Sequence, residues 1–150
     1  MSELYELYKE EILDHNRKPR NFRKLEEANR VSEGFNPLCG DRVIVYVYLE
    51  NDVVKNISFE GQGCAISKAC ASMMTESVKG KTKAETEALF QKVHKMLTSS
   101  PHEPVDSSGL GKLAVFSGVR EFPLRVKCAT LAWHTLNAAF QGKGEGVSTE

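Results

Sequence analysis

No stretch of the chain approaches the roughly twenty consecutive apolar residues that would span a bilayer, so the sequence offers no membrane segment. Nor is there an excess of either charge: 20 Lys and Arg are balanced by 20 Asp and Glu. A general electrostatic grip on nucleic acid needs a basic surplus, so that class is excluded. The opening Ser2-Glu3-Leu4-Tyr5-Glu6-Leu7 is acidic and amphipathic, without the basic, apolar and cleavable parts of a secretion signal. The cytoplasm is the expected compartment. There is no internal repeat. Two site signatures are missing as well. Gly61-Gln62-Gly63 stands before a predicted helix as a phosphate-cradling loop would, yet Ile66 occupies the place of the third glycine of a dinucleotide fingerprint. A zinc deaminase needs His-x-Glu and Pro-Cys-x-x-Cys, whereas Pro37-Leu38-Cys39 continues into Gly40-Asp41-Arg42.

What is present is a chain of 150 residues, read as one domain over 1–150 with a loose tail over 142–150. A chain of this length buries about two-thirds of its unfolded surface, so it needs no disulfide for stability. Its four cysteines therefore point, in a reducing compartment, to metal binding or sulfur chemistry.

Taken in order, residues 2–16 predict an amphipathic helix: Ser2 caps it, Leu4, Leu7, Tyr8 and Ile12 share a face, and Pro19 ends it. His15 reads as a solvated residue of that helix. Residues 17–35 read as a connecting loop with a short helix near Leu25 to Asn29. Residues 42–49 are a strand apolar on both faces, with Val43, Val45, Val47 and Leu49 on one side and Ile44, Tyr46 and Tyr48 on the other. Asn51-Asp52 turns the chain into a return strand over Val53 to Phe59, with Val53, Ile57 and Phe59 on one face and Val54, Asn56 and Ser58 on the other. A hairpin alone is marginal, so a third strand is expected at residues 30–35. A helix follows Cys64 to about Gly80, and Thr82 with Glu85 forms a capping-box pattern for the next one. Residues 99–112 read as a Pro-, Ser- and Gly-rich surface loop, Leu113 to Glu121 as a short helix, and Leu124 to Gln141 as the last helix, with Trp133 at the edge of its core face.

Cys39 and Asp41 flank Gly40 after Pro37, Cys64 falls at a helix N-terminus, and Cys128 falls near the start of the last helix, beside Arg125 and Lys127. A helix N-terminus and nearby cations favour thiolate. Three thiolates and one carboxylate from three separated segments suit a closed tetrahedral zinc set. Their separations match no zinc-finger spacing, so three independent buried cysteines remain an open alternative on spacing alone. Cys70 lies six residues beyond Cys64, about 600° of helix, which turns it away from that site and makes it a packing residue. Nothing in the spacing makes His15, His94, His102 or His134 a ligand.

The segments Asn36-Pro37-Leu38-Cys39-Gly40-Asp41, Gly61-Gln62-Gly63-Cys64-Ala65-Ile66-Ser67 and Arg125-Val126-Lys127-Cys128-Ala129-Thr130-Leu131-Ala132-Trp133 together resemble the IscU/SufU family of iron–sulfur cluster assembly proteins. The resemblance implies an α+β fold: a three-stranded antiparallel sheet, helices packed on one face, and the metal site at one end. It implies Cys39, Asp41, Cys64 and Cys128 as the metal and sulfur site. The scaffold branch usually has His before its third cysteine; this chain has Lys127 there and a longer segment between Cys64 and Cys128. Both features resemble the SufU branch, which binds zinc and relays sulfur from a pyridoxal-phosphate cysteine desulfurase. The implied role is a zinc-dependent sulfurtransferase that carries persulfide sulfur to downstream iron–sulfur assembly proteins. The alternative is a scaffold for a transient 2Fe–2S cluster. Arg125 and Lys127 are expected to balance the site's negative charge. Cys39, on a loop between Pro37 and Gly40, is the ligand best able to leave the set and is the expected sulfur acceptor.

Overall fold

A computed structural model of the protein describes residues 10–104, 108–142 and 147–148. The elements run α1 (Glu10–Arg17), β1 (Arg30–Asn36), β2 (Asp41–Glu50), β3 (Val53–Gln62), α2 (Ala65–Val78), α3 (Lys83–Thr98), a 3-10 helix (Gly111–Glu121), α4 (Pro123–Phe140) and β4 (Val147–Ser148). The expected α+β architecture is present. β3, β2 and β1 form an antiparallel sheet, and β4 adds a parallel pairing beside Gly34 and Phe35. The proposed cap Ser2 and Leu4, Leu7 and Tyr8 lie outside the described residues, as does most of the expected loose tail.

Val43, Val45 and Val47 of β2 are buried under the helices, α4 over β1 and β2 and α2 over β3. On the other face Tyr46 is buried, while Ile44 and Tyr48 are half-buried. Asn51 and Asp52 both take positive φ, 54° and 61°, the geometry that lets a two-residue turn match the twist of its strands.

The return strand differs from the strict alternation expected for it. Tyr48 pairs with Asn56 and Leu49 with Val54, so Lys55 is an extra residue opposite no partner. This bulge moves Val54 onto the core face with Ile57 and Phe59, and Val54 is fully buried while Val53 is only half-buried. Residues 25–29 also differ from expectation: they make a single turn, closed by Ala28 N–H to the Leu25 carbonyl at 3.2 Å, not a helix. The chain is drawn into the sheet edge instead. The Asn29 side chain grips both backbone groups of Leu49, at 2.8 and 2.9 Å, and its N–H donates to Val47.

α2 and α4 are buried on nearly all sides, and small residues such as Ala69, Ala71 and Ser72 let α2 approach its neighbours. α1 packs across α2, which corrects the expectation for His15. His15 is 4% exposed, because it shares the packed face with Ile12 and finds a partner there: its Nδ1 lies 2.7 Å from Ser72 Oγ. Trp133 is likewise 1% exposed, not at an edge, since the Phe90 ring of α3 stacks over it at 5.8 Å between centroids. The Thr82–Glu85 capping box forms as expected.

Candidate metal centre

The site grows from one end of the β1–β2 hairpin. Asn36 and Asp41 pair across the strands, and Pro37, Leu38, Cys39 and Gly40 make the connection. Asn at the first turn position and Pro at the second are favoured there, and the Cys39 N–H donates to the Asn36 carbonyl at 3.3 Å. Gly40 takes a φ of +70°, which returns the chain to Asp41 at no steric cost. Cys39 is thus half-buried on a tight turn, and Asp41 is buried at the sheet's end.

The passage from β3 to α2 brings the second segment in. A Cβ at Gly63 would collide with the Asp41 carboxylate and lie 3.0 Å from its Cα, so glycine allows the chain to pass directly over Asp41. The Cys64 N–H then donates to Asp41 Oδ1 at 2.8 Å. Cys64 is the N-cap of α2, with Ser67 N–H donating to its sulfur at 3.5 Å.

The third segment is α4. It opens with Pro123, whose preset φ suits a first helical residue, and it crosses β1 closely at Gly34, where any Cβ would strike Thr135 Oγ1. That contact seats the helix so that Cys128, fully buried, reaches the hairpin turn. Its Sγ lies 3.3 Å from Cys39 Sγ and 3.8 Å from the Leu124 carbonyl. Asn36 Nδ2 donates to Cys128 Sγ at 3.4 Å and to Asp41 Oδ2 at 3.2 Å. An Arg125 guanidinium nitrogen stands 3.8 Å from Cys39 Sγ; Lys127, on the same helix, is half-buried.

Donor atoms of Cys39, Asp41 and Cys128 all lie within 4.8 Å of one another. Two sulfurs at about 2.3 Å from a tetrahedral zinc are about 3.8 Å apart. The Cys39–Cys128 distance of 3.3 Å falls about half an ångström short of that spacing, so the two sulfurs need part only slightly to fit such an ion. The Cys64 sulfur stands outside this group of three; it accepts the Ser67 N–H at the start of α2 and lies beside the Cys128 thiol. With three thiolates and a carboxylate around a divalent ion the set is net negative, and Arg125 is placed to offset it.

The cysteines do not share one acidity. Cys64 is held below the ordinary thiol range, first by the Cys128 thiol donating toward it and then, against a burial penalty, by the N–H of Ser67. Cys128 is pushed up by that same interaction with Cys64, then by burial and by Asp41 and Cys39. Helix position and nearby cations alone suggest a more acidic Cys128; the correction comes from its contact with the Cys64 thiol and from its burial. Cys70, as expected, is a packing residue: it donates to the Ala129 carbonyl at 2.7 Å, and burial pushes it up to about 12. Asn36 was singled out by nothing except its place in the hairpin motif, because its partner Cys128 is remote in sequence.

Comparison with known proteins follows the same outline. The sequence pattern of the NifU-like N-terminal domain matches residues 7–141. The zinc-dependent sulfurtransferase SufU of Bacillus subtilis is 42% identical over 131 residues, covering 87% of this chain and 86% of its own. The scaffold protein IscU of Thermotoga maritima is 38% identical over 135 residues, covering 90% and 93%. Among solved structures, FiSufU of Fervidobacterium islandicum, named as an iron–sulfur cluster assembly scaffold protein for the SUF system, superposes with a TM-score of 0.82. It is 37% identical, and the match covers 89% of this chain and 96% of that one.

Proposed function

Because the chain belongs to the NifU-like N-terminal domain family, alongside the SufU and IscU proteins of iron–sulfur cluster assembly, we propose that it is a zinc-dependent sulfur acceptor. In this reading it takes persulfide sulfur from a pyridoxal-phosphate cysteine desulfurase and hands it to downstream iron–sulfur assembly proteins in the cytoplasm. One observation carries the reading: the Asp41 carboxylate is gathered with the Cys39 and Cys128 thiols. A mixed carboxylate and thiolate set suits zinc, whereas iron–sulfur clusters draw mainly on thiolates. Cys64 completes the set from the N-terminus of α2. Lys127, where the scaffold branch usually has His, supports the same side.

Zinc, when bound, keeps its thiol ligands deprotonated and ordered. Cys39 is the acceptor in this reading. Its half-buried turn leaves it reachable, while Cys128 is enclosed by α4 and the sheet. The Cys39 thiolate attacks the outer sulfur of the desulfurase persulfide. A new S–S bond forms at Cys39, the old one breaks, and the desulfurase cysteine leaves as thiolate, with no net oxidation or reduction. Arg125 stands beside the attacking sulfur and lowers the repulsion between two anions.

A second reading has its own support. The IscU scaffold of Thermotoga maritima matches nearly as well as SufU, which favours a transient 2Fe–2S cluster held on the same residues and passed to apo-proteins. Metal analysis of protein purified without added metal, with desulfurase turnover measured in its presence, separates the two. The sulfur-relay reading expects about one tightly held zinc per chain, as for a structural-strength site, and faster turnover. No zinc, no stimulation and a stable visible chromophore after supplying iron and sulfide would favour the scaffold.

A further inference from the structure

We propose that Asn36 is the positioning residue of this centre: its amide and its backbone gather three of the four ligands before any metal arrives. The inference rests on the metal-site reading above and concerns how that site is held.

Asn36 is 0% exposed and ends β1. Its Nδ2 donates at once to Asp41 Oδ2, 3.2 Å away, and to Cys128 Sγ, 3.4 Å away. Its carbonyl accepts the Cys39 N–H at 3.3 Å. One residue thus touches a ligand on the turn, a ligand on β2 and a ligand on α4. The assignment of the amide is fixed by chemistry: exchanging its nitrogen and oxygen would set an oxygen against the Asp41 carboxylate, acceptor facing acceptor. Both hydrogens of the amide nitrogen are then committed inside the site.

Fold stability does not explain the choice. Asn36 Oδ1 is buried with no hydrogen-bond partner among the described residues, an unfavourable state that an apolar side chain of similar shape would avoid. The amide makes sense as two donors aimed at two metal-ligating atoms, a carboxylate oxygen and a sulfur that becomes thiolate when a metal binds. A sulfur that accepts an N–H bond keeps lone pairs for a metal, and the donated hydrogen draws off part of its charge. In a ligand set with surplus negative charge, that weakens the repulsion between Asp41 and Cys128 and holds them at the spacing a small ion needs. The donor is also neutral and short, so it cannot pair with and cover either ligand as a lysine or arginine could.

The test uses the full chain, with zinc, cobalt and cadmium as probes. Asn36→Asp keeps the shape and the turn preference but sets a carboxylate against Asp41; Asn36→Ser removes the bridge with less charge change. In variants whose circular dichroism matches the parent, zinc should bind about 10- to 100-fold more weakly, the usual cost of losing an outer partner of a ligand. The sulfur-to-cobalt charge-transfer band should move to longer wavelength, because the Cys128 sulfur loses a hydrogen bond. A merely structural role would move neither. The parent protein gives a reading that needs no variant: with 113Cd bound, the Asn36 amide protons should show scalar coupling to the metal through Cys128 sulfur. Unchanged zinc affinity and an unchanged cobalt band in a folded variant, or no such coupling in the cadmium form, would overturn the inference while leaving the metal site itself standing. Failure of the parent to bind any of the three ions would overturn both.

Discussion

The backbone N–H of Cys64 donates to the Asp41 carboxylate at 2.8 Å, which ties the start of α2 to the end of the β1–β2 hairpin. Asp41 is therefore more than a ligand candidate. Its second oxygen takes the Asn36 amide, so the buried carboxylate is held from two sides, by the neighbouring strand and by the start of α2.

Asp41→Ala and Asp41→Asn separate these two duties. Asn offers an oxygen to the Cys64 N–H, whereas Ala leaves that buried donor unpaired at a cost of about 1–3 kcal/mol. The metal-free Ala variant should unfold at clearly lower denaturant than the Asn variant. Both should bind zinc more weakly than the parent and stimulate the desulfurase less. Equal unfolding midpoints for the two would show that the clamp contributes nothing.

Cys64 is the N-cap of α2 and, in the proposed reading, also a ligand. Ser is a better N-cap than most residues, and losing a cap to Ala costs about 1 kcal/mol. Cys64→Ser should leave the metal-free protein as stable as the parent, and Cys64→Ala should weaken it. Both should lose tight zinc binding. Denaturant titration with chelator present, followed by zinc competition, checks this; a destabilised Ser variant would contradict the capping role.

Two glycines of the site differ sharply. Gly40 has a φ of +70° but nothing within 4 Å of a would-be Cβ, while a Cβ at Gly63 meets Asp41. Gly40→Ala should cost about 1 kcal/mol of conformational strain and keep metal binding. Gly63→Ala should cost more and displace the carboxylate, lowering zinc affinity as well. Matching losses in the two would contradict the close passage of the β3–α2 connection over Asp41.

Stability should fall on mild acidification. Burial lowers the pKa of His15 below the usual 6.5, with Arg20 adding to the shift and Glu76 and Asp14 opposing it. The unfolded chain then takes up the proton first. The His15 contribution is intact above pH 6.5 and is lost as the pH falls through the lower folded-state pKa. His134, also lowered by burial and by His94, acts in the same direction. Denaturant midpoints measured between pH 7.5 and 5.5 should decline, and less steeply in His15→Gln. An unchanged slope in that variant would remove His15 from the account.

The strands, the Asn51-Asp52 turn and the Thr82 capping box were legible because each depends on neighbours in sequence. The three cysteine motifs were legible as motifs. What escaped was set by partners far along the chain. Lys55 bulges because β2 fixes the pairing, which reverses the face of Val54. His15 is buried because Ser72 waits for it on α2. The role of Asn36 exists only once α4 delivers Cys128 to the hairpin. The raised pKa of Cys128 follows from the same convergence, since the groups around it set it and not its position on α4.

In the sulfur-relay reading the site accepts sulfur, and Cys39 is where the sulfur arrives. Peptide mass mapping after a brief reaction of the zinc-loaded chain with a cysteine desulfurase and cysteine, with thiols trapped at once, tests it most directly. One extra sulfur should appear first on the peptide that holds Cys39. An extra sulfur appearing first on the peptide of Cys64 or Cys128, or on no peptide of this chain, would contradict it.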